Sequence, residues 1–506
     1  MARGGRGATG SSATAALRRL RIPDRATRTR LSRMIQSYLD ALRLFSRNAW
    51  LFLISSGLSG FSYTGIYFLL ANLFLLRLGH GEGFIGIFVA TGALSFAVFS
   101  VPAGFAGRCW GPRPAMIVGY GLLAAGIGIV VVGATGPRAV APVWLIGSCV
   151  VRELGNAFYM VNANPFLMAS TTPEERAHVF SVRGAVTPLA GFAGSLTGGL
   201  VPHLTASVFD LSLQNKLCYI VPILLAAVAL VPGLVALMAT RREERLPAEE
   251  AALAHADLED LQAGGAPGGE ELLAVAELGE GATASRRVGA AAAAVPPAEP
   301  VGERPEESPA DSSAAPYGPI AVMSLVGLLY IASTAGATSF FNVYMDRVLH
   351  ASTARIGNLV AIGQLLASPL ALSLAVVAGR WGYHRAFAVT TLGMSLSLLP
   401  LALVPRWTAA GAGIIGVTAL GALAFPSITV YTQHLVARTW RPVISGAYMM
   451  CVALGWTVIA GAGGFVISYY GYPSLFLLCS ALTATGSAIF LIYTRRPRGL
   501  YRTHGV

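Results

Sequence analysis

The stretch Asn72-Leu-Phe-Leu-Leu-Arg77-Leu-Gly-His80 recurs later in the chain as Asn342-Val-Tyr-Met-Asp-Arg347-Val-Leu-His350. The Asn, Arg and His of the two copies are 270 residues apart, and Ile85-Gly86 and Ile356-Gly357 follow at an offset of 271. Such a nearly fixed offset indicates an internal duplication, in which the second half of the chain repeats the first.

Two further pairs of segments follow in the same order. Ala106-Gly-Arg108-Cys-Trp110-Gly111-Pro-Arg113 is matched by Ala378-Gly-Arg380-Trp381-Gly382-Tyr-His-Arg385, in which the part from the Ala to the second Gly is one residue shorter. Arg176 with Gly198-Gly199 is matched by Arg441 with Gly463-Gly464, 265 residues on in each case. One match could arise by chance, but a collinear set indicates duplication. The sequence therefore predicts two similar halves.

The composition is that of an integral membrane protein. Hydrophobic residues make up 54% of the chain and charged residues 12%, with a mean hydropathy of +0.62. Residues 241–316 hold sixteen of the 24 acidic residues and are otherwise rich in Ala, Gly, Pro and Ser, a composition that predicts a disordered linker. We expect five segments: a basic N-terminal segment (1–48), a first half (49–240), an acidic linker (241–317), a second half (318–494) and a basic tail (495–506).

Each half contains six apolar runs long enough to cross a bilayer. They must be helical, because lipid offers the backbone no hydrogen-bond partners. The predicted fold is therefore an all-α polytopic membrane protein with twelve transmembrane helices in two pseudo-symmetric six-helix bundles. The predicted spans are 49–77, 83–107, 115–135, 141–169, 178–203, 217–240, 318–346, 354–378, 386–405, 408–436, 443–468 and 474–494.

The arginines predict the orientation. If both termini are cytoplasmic, the inner segments hold 26 basic residues and the outer loops six. The positive-inside rule then favours cytoplasmic termini, and we expect the protein in the plasma (inner) membrane. From Arg33 onward, the helical spacing of apolar residues suggests either a helix that lies on the membrane surface or an extension of the first span. The acid-poor N-terminus also fits an organelle transit peptide as a second interpretation.

Six plus six helices, a parallel repeat and a cytoplasmic middle loop resemble the major facilitator superfamily of secondary transporters. The superfamily has a signature between helices 2 and 3, to which Gly104, Gly111 and Arg113 are similar. Arg108 stands where the family has an Asp that helps to latch the halves together. The resemblance therefore implies a different or weaker latch here. In the second half, Gly382 stands at the place that matches Gly111.

Two acidic residues stand in a short inner loop, within Thr171-Thr-Pro-Glu-Glu-Arg176. We hypothesise that Glu174 and Glu175 pair with inner arginines when an inner gate closes. The alternative is a solvated cluster at the start of a helix. The candidate partners are Arg380, Arg385, Arg438 and Arg441.

The fourth span carries the deepest polar residues. Arg152, Asn156 and Tyr159 repeat at i, i+4 and i+7 and so share a helical face. A charge near the bilayer midplane costs about 3 kcal/mol or more, so Arg152 should face a watery cavity or a partner. Glu153 is the one acid placed deep in a span, and it is the candidate proton carrier. The alternative is a static pair that pins neighbouring helices.

The resemblance implies a central cavity lined by helices 1, 4, 7 and 10, with helices 2, 5, 8 and 11 at its walls. Several polar and aromatic residues of those spans lie near mid-depth, although helix packing is an alternative role for the aromatic ones. These weaker candidates for the cavity are Tyr63, Tyr67, Tyr330, Gln364 and Trp456.

The predicted function is secondary active transport of a small solute by alternating access, with proton-coupled efflux as the more specific expectation. The single lysine, Lys216, excludes a GxxxxGK[ST] phosphate loop, and we expect no enzyme activity, cofactor or metal. The expected partners are a small solute, the lipid bilayer and protons; we expect a monomer that binds no nucleic acid. The alternatives are a membrane enzyme acting on lipid-linked substrates and a sensor that transports nothing.

Overall fold

The computed structural model describes residues 45–137, 139–171, 173–241, 316–436 and 440–495. In this part of the chain all regular structure is helical, as predicted, and eleven helices follow one another. They are α1 (Arg47–Arg77), α2 (Glu82–Trp110), α3 (Pro112–Thr135), α4 (Ala141–Ser170), α5 (Pro173–Val208), α6 (Leu217–Met238), α7 (Tyr317–Arg347), α8 (Thr353–Leu372), α9 (Leu374–Leu403), α10 (Trp407–His434) and α11 (Arg441–Arg495). The predicted linker, nearly all of the N-terminal segment and the tail beyond Arg495 lie outside these residues.

Ten stretches of the described helices are long and apolar enough to cross a membrane. Helix α4 has the length, 30 residues, but is less apolar because it carries Arg152, Glu153 and several asparagines. Helix α11, at 55 residues, is broken at Gly471, where a φ of 81° interrupts the helix. The described helices thus lie over all twelve predicted spans, and the number of crossings stays a prediction.

The surface of the helices is apolar where a bilayer would touch it. Val228, Leu396 and Val458 are among many large apolar side chains that are more than half exposed. A soluble protein of this size rarely exposes contiguous apolar surface on such a scale. The described surface therefore agrees with the composition.

The repeat is visible in the backbone at Gly111 and Gly382. Gly111 separates α2 from α3 with φ 92° and ψ 155°, and Gly382 breaks α9 with φ 76° and ψ 156°. An L-residue with a side chain rarely adopts this backbone conformation, so glycine is required at the same turn in both halves. The predicted match between the two segments is thus a match of backbone structure.

The two halves meet through two equivalent helix crossings, α2 with α11 and α5 with α8. At the first, a Cβ on Gly464 would lie 2.4 Å from the main-chain oxygen of Glu82. At the second, a Cβ on Gly357 would lie 2.8 Å from the Cα of Gly199. Small residues let helix backbones approach this closely. Because Gly199 and Gly464 are repeat equivalents, the two crossings are related by the pseudo-two-fold symmetry.

Helices α1 and α7 meet between these crossings and exchange hydrogen bonds. The Asn72 amide donates to the main-chain oxygen of Ser339 at 2.6 Å, and the Asn342 amide donates to that of Leu69 at 2.8 Å. Donors and acceptors are each 270 residues apart. The contact is therefore self-complementary between the two halves.

Candidate functional site

A cavity of about 860 Å³ lies between the two halves. Its walls come from α1, α2, α4, α7, α10 and α11 and are mostly apolar, with Phe88, Phe425, Met450 and Trp456 among them. Arg152 and Glu153 are the charged residues among those that line it. A concave, mainly apolar site with a few convergent polar groups is typical of small-molecule binding.

Glu153 stands at the centre of a hydrogen-bond network in this cavity. Its Oε1 accepts from the Tyr63 hydroxyl at 2.7 Å and from Arg152 Nε and Nη2 at 3.0 and 2.9 Å. Its Oε2 accepts from the Asn156 amide at 3.0 Å. Glu153 is 6% exposed and Arg152 5% exposed, so the ion pair is almost entirely withdrawn from solvent. Charge pairing and hydrogen bonding are what make such burial tolerable.

Arg152 makes further contacts within the same half. Its Nη1 donates to the Tyr67 hydroxyl and its Nη2 to Cys149 Sγ at 3.2 Å. The guanidinium carbon lies 4.7 Å from the centroid of the Tyr67 ring, within reach of a cation–π interaction. The arginine thus has partners on both α1 and α4, and its charge is buried inside the protein.

The backbone of α1 explains why two tyrosines reach this network. Tyr63 and Tyr67 lie in the π-helical segment Gly60–Tyr67, where the N–H of Phe68 bonds to the carbonyl of Tyr63, five residues back. The two rings stack with centroids 6.2 Å apart and planes 14° apart. Short π-helical segments occur frequently at functional sites. Here the segment directs both hydroxyls at the ion pair on α4.

Most of the predicted cavity residues come together at this site. The residues predicted for the cavity that line it are Tyr63, Tyr67, Arg152, Asn156 and Trp456, and Glu153, predicted as the proton carrier, lines it with them. Gln364 instead lines a smaller cavity of about 300 Å³, which shares Tyr63 and Phe68 with the large one. Its Nε2 contacts Ser195 Oγ at 3.3 Å across the crossing of α5 and α8.

Two predicted residues are not brought to either cavity. Tyr159 is buried within the first half, where its hydroxyl contacts Ser56 Oγ at 3.0 Å and its ring packs edge-on against Tyr120. Tyr330 is buried in the second half against Phe387, with ring centroids 5.5 Å apart. For both, packing between helices is the role that the structure supports, because neighbouring helices of the same half enclose the ring.

A set of polar contacts between the halves lies at the end that holds Arg77 and Arg347, which we call the outer end after the predicted orientation. Arg77 Nη1 lies 2.9 Å from Asp346 Oδ2, and Nη2 contacts Oδ1, so the pair is bidentate. Arg347 lies 3.8 Å from Glu82, which also accepts from Tyr472 at 3.1 Å. Every one of these contacts joins one half to the other.

At the opposite, inner end the predicted gate residues form no such set among the described side chains. Arg113 donates to Thr240 Oγ1 and to the main-chain oxygen of Met238, both at 2.8 Å and both within the first half. The other predicted inner residues that the structure describes are Gly104, Arg108, Arg380 and Arg385, which are exposed, and Gly111 and Gly382, which form the turns above. The side chains of Glu174, Glu175, Arg176, Arg438 and Arg441 lie outside the described part, so their pairing stays a hypothesis.

Several residues of the site carried too little signal to be found from sequence. Cys149 and Phe88 contact Arg152, but a lone cysteine or phenylalanine in an apolar span is unremarkable. Asp346 and Glu82 could have been predicted from the sequence. Asp346 is next to Arg347 and Glu82 is five residues after Arg77, and both arginines belong to the repeat.

Comparison with known proteins agrees with this architecture. The family model of the Major Facilitator Superfamily matches residues 52–458 and 322–504. No curated protein sequence matches the chain.

Several solved transporter structures share the fold. A crystal structure of a mutant of the nucleoside transporter NupG covers 88% of this chain and 99% of its own, with a TM-score of 0.59 and 11% identity. A D-xylose-proton symporter covers 90% and 97%, with a TM-score of 0.60 and 11% identity. A peptide transporter POT in complex with sulfate covers 89% and 95%, with a TM-score of 0.61 and 16% identity. At such identities the likeness concerns the fold alone.

Proposed function

Because this chain belongs to the Major Facilitator Superfamily, we propose that it is a secondary transporter that carries a small solute across a membrane by alternating access. The protein is a multi-pass membrane protein with a transporter fold. In the proposed cycle, twelve crossings form two halves that rock about the cavity and expose it to one side at a time.

One observation carries the proposal: the buried Arg152–Glu153 pair faces a cavity between the halves, and that cavity is closed at its outer end. The closure combines the Arg77–Asp346 pair, the Asn72 and Asn342 hydrogen bonds and the glycine crossings. Each of these contacts can be exchanged for solvent if the halves rotate apart at that end. The arrangement therefore supports one state of a cycle in which the outer end also opens.

Glu153 is the proposed proton carrier. It lines the cavity and accepts hydrogen bonds from Tyr63, Arg152 and Asn156, so its protonation would remove the charge that holds these partners. Loss of that charge would free Arg152 and Tyr63 to reorient. Proton binding would thereby be linked to the position of α1 against α4, which is the coupling that proton-driven transport needs.

The remaining parts of the proposal follow the sequence. The distribution of arginines supports a plasma (inner) membrane protein with both termini in the cytoplasm, and proton-coupled efflux is the proposed direction of transport. The small solute, the bilayer and protons are the proposed partners, the protein acts as a monomer without enzyme activity, and it binds no nucleic acid.

Reconstitution into proteoliposomes tests this function. The purified protein is supplied with a panel of solutes with and without an imposed pH gradient, and solute flux is measured. We expect the gradient to drive flux of at least one solute. Protein that moves no solute under any ion gradient would contradict the transporter function and favour the sensor or enzyme alternative.

A second arm of this experiment tests the role of Glu153. The variant Glu153→Gln should lose proton-driven flux, because proton exchange is lost, but keep counterflow at saturating solute, because the Gln carbonyl oxygen still accepts a hydrogen bond. Asp210→Asn is the matched control: Asp210 is an exposed carboxylate at φ 50°, a conformation that Asn tolerates. If proton-driven flux survives in Glu153→Gln, Glu153 does not carry the proton.

A further inference from the structure

The polar end of the large cavity has unfilled hydrogen-bond acceptors. The Oδ1 of Asn156 has no hydrogen-bond partner among the described residues, and the residue is only 8% exposed. The amide orientation is fixed because its NH₂ group faces the carboxylate of Glu153, which can only accept. Asn156 therefore brings an unpaired acceptor to the polar end of the cavity that it lines.

Glu153 offers a second acceptor beside the first. Its Oε1 already accepts three hydrogen bonds, whereas its Oε2 accepts one among the described groups, from Asn156. A carboxylate oxygen has two lone-pair positions, so Oε2 retains capacity for another donor. Asn156 and Glu153 thus place two free acceptor positions side by side.

Four of the five N–H donors of Arg152, by contrast, have partners. Arg152 donates from Nε to Glu153, from Nη1 to Tyr67 and from Nη2 to Cys149 and Glu153. An anionic ligand would lie beside the Glu153 carboxylate, a like charge, and could take its place on the guanidinium only by leaving that buried carboxylate unpaired, which is strongly unfavourable. The site is therefore poorly suited to an anion.

From these features, and resting on the proposed transport function, we infer that the substrate is an amphipathic amine whose protonated nitrogen binds between Asn156 Oδ1 and Glu153 Oε2. An ammonium group supplies several N–H donors to two neighbouring acceptors. The apolar part of the molecule lies along the walls that hold Phe88, Phe425, Met450 and Trp456. A cavity of about 860 Å³ has room for a drug-sized molecule.

Three fluorescent ligands test this inference on the full-length wild-type protein in detergent. They share one dansyl sulfonamide and one alkyl chain and differ in the terminal group: a primary amine, an alcohol or a carboxylate. Binding is measured from the increase in dansyl emission. We expect the amine to bind at least about tenfold more tightly than the carboxylate, the factor that one charge-assisted hydrogen bond supplies. A carboxylate that binds as tightly as the amine would overturn the inference.

Two variants locate the bound nitrogen. Asn156→Leu removes the free acceptor and should weaken amine binding about tenfold while changing alcohol binding less, because one charge-assisted hydrogen bond is lost. Asn164→Ala is the matched control, since Asn164 is exposed on the same helix and does not line the cavity. Equal effects of the two variants on amine binding would place the amine elsewhere and overturn the inference.

The two proposals fail separately. If the amine binds but no solute crosses proteoliposomes, the proposed function is wrong and the binding site stands. If another solute crosses while the amine does not bind, the inferred substrate class is wrong and the transport function stands.

Discussion

Asn72 and Asn342 make the same hydrogen bond from opposite halves of the molecule. The Asn72 amide donates to the main-chain oxygen of Ser339 at 2.6 Å, and the Asn342 amide donates to the main-chain oxygen of Leu69 at 2.8 Å. The two asparagines and the two acceptors are repeat equivalents. The contact holds α1 against α7 between the cavity and the outer end, so separation of the halves at that end must break both bonds.

The symmetry of this contact predicts equal effects for the two asparagines. We expect Asn72→Ala and Asn342→Ala each to weaken the outer closure by about 1 kcal/mol, the contribution of one buried hydrogen bond. Spin labels in place of the exposed Phe209 and Arg406, one in each half, report the outer separation by electron–electron double resonance. Both variants should increase the population with long distances to a similar extent.

An effect confined to one asparagine would contradict the symmetric account of this contact. Thr197→Ala serves as the control, because the Thr197 hydroxyl donates to the main-chain oxygen of Ala193 in its own helix.

The glycine crossings predict a larger effect. In Gly464→Ala the new methyl group would lie 2.4 Å from the Glu82 main-chain oxygen, so α2 and α11 must move apart. We expect this variant, and Gly357→Ala at the equivalent crossing, to shift most molecules towards outer separation in the same spin-label measurement. Gly128→Ala is the control, since a Cβ there meets no atom within 4 Å. Unchanged distances in both crossing variants would show that the crossings do not hold the outer end closed.

The Arg77–Asp346 pair predicts coupled effects. Each side chain is about a tenth exposed, so loss of either partner should weaken the closure by about 1.5–3 kcal/mol, as for hydrogen bonds to charged groups. The exchanged variant Arg77→Asp with Asp346→Arg should recover part of that loss. A double-mutant cycle on the spin-label populations measures the coupling. Additive effects of the two single variants would contradict a direct interaction.

The buried ion pair predicts unequal stability of single and double variants. Arg152→Met leaves Glu153 buried without its cationic partner, and we expect a loss of about 3–5 kcal/mol in the free energy of unfolding. Arg152→Met with Glu153→Met should recover most of that stability but not transport. Thermal unfolding followed by tryptophan fluorescence makes the comparison. If Arg152→Met is as stable as the wild type, the Arg152–Glu153 ion pair does not compensate the burial of the Glu153 charge.

Much of the fold followed from the sequence because two physical constraints act on it. A lipid environment allows only helices for such apolar runs, which decided the class of structure and placed the spans. Duplication decided the symmetry: the sequence offsets alone make Gly86 equivalent to Gly357 and Gly199 equivalent to Gly464. The repeat does not predict the contacts between these glycines: Gly199 lies against Gly357, and Gly86 lies against Gly464.

The site was predictable where a charge was involved. Arg152 and Glu153 could not face lipid without a large cost, so a cavity or a partner was the expected surrounding. Aromatic residues gave no such constraint. Tyr63 lines the cavity and Tyr159 packs inside one half, although both lie at mid-helix, because the π-helical segment of α1 and the rotation of α4 decide which way each ring points. Neither feature can be read from hydrophobic periodicity.

Cross-linking of the outer gate tests alternating access most directly. In a protein with its five native cysteines replaced, Arg77→Cys and Asp346→Cys are joined by a short bifunctional thiosulfonate, and solute flux into proteoliposomes is measured before and after reduction. The account predicts that cross-linked protein transports nothing and that reduction restores flux, while each single-cysteine protein is unaffected by the reagent. Undiminished flux through the cross-linked protein would contradict a cycle in which the outer end must open.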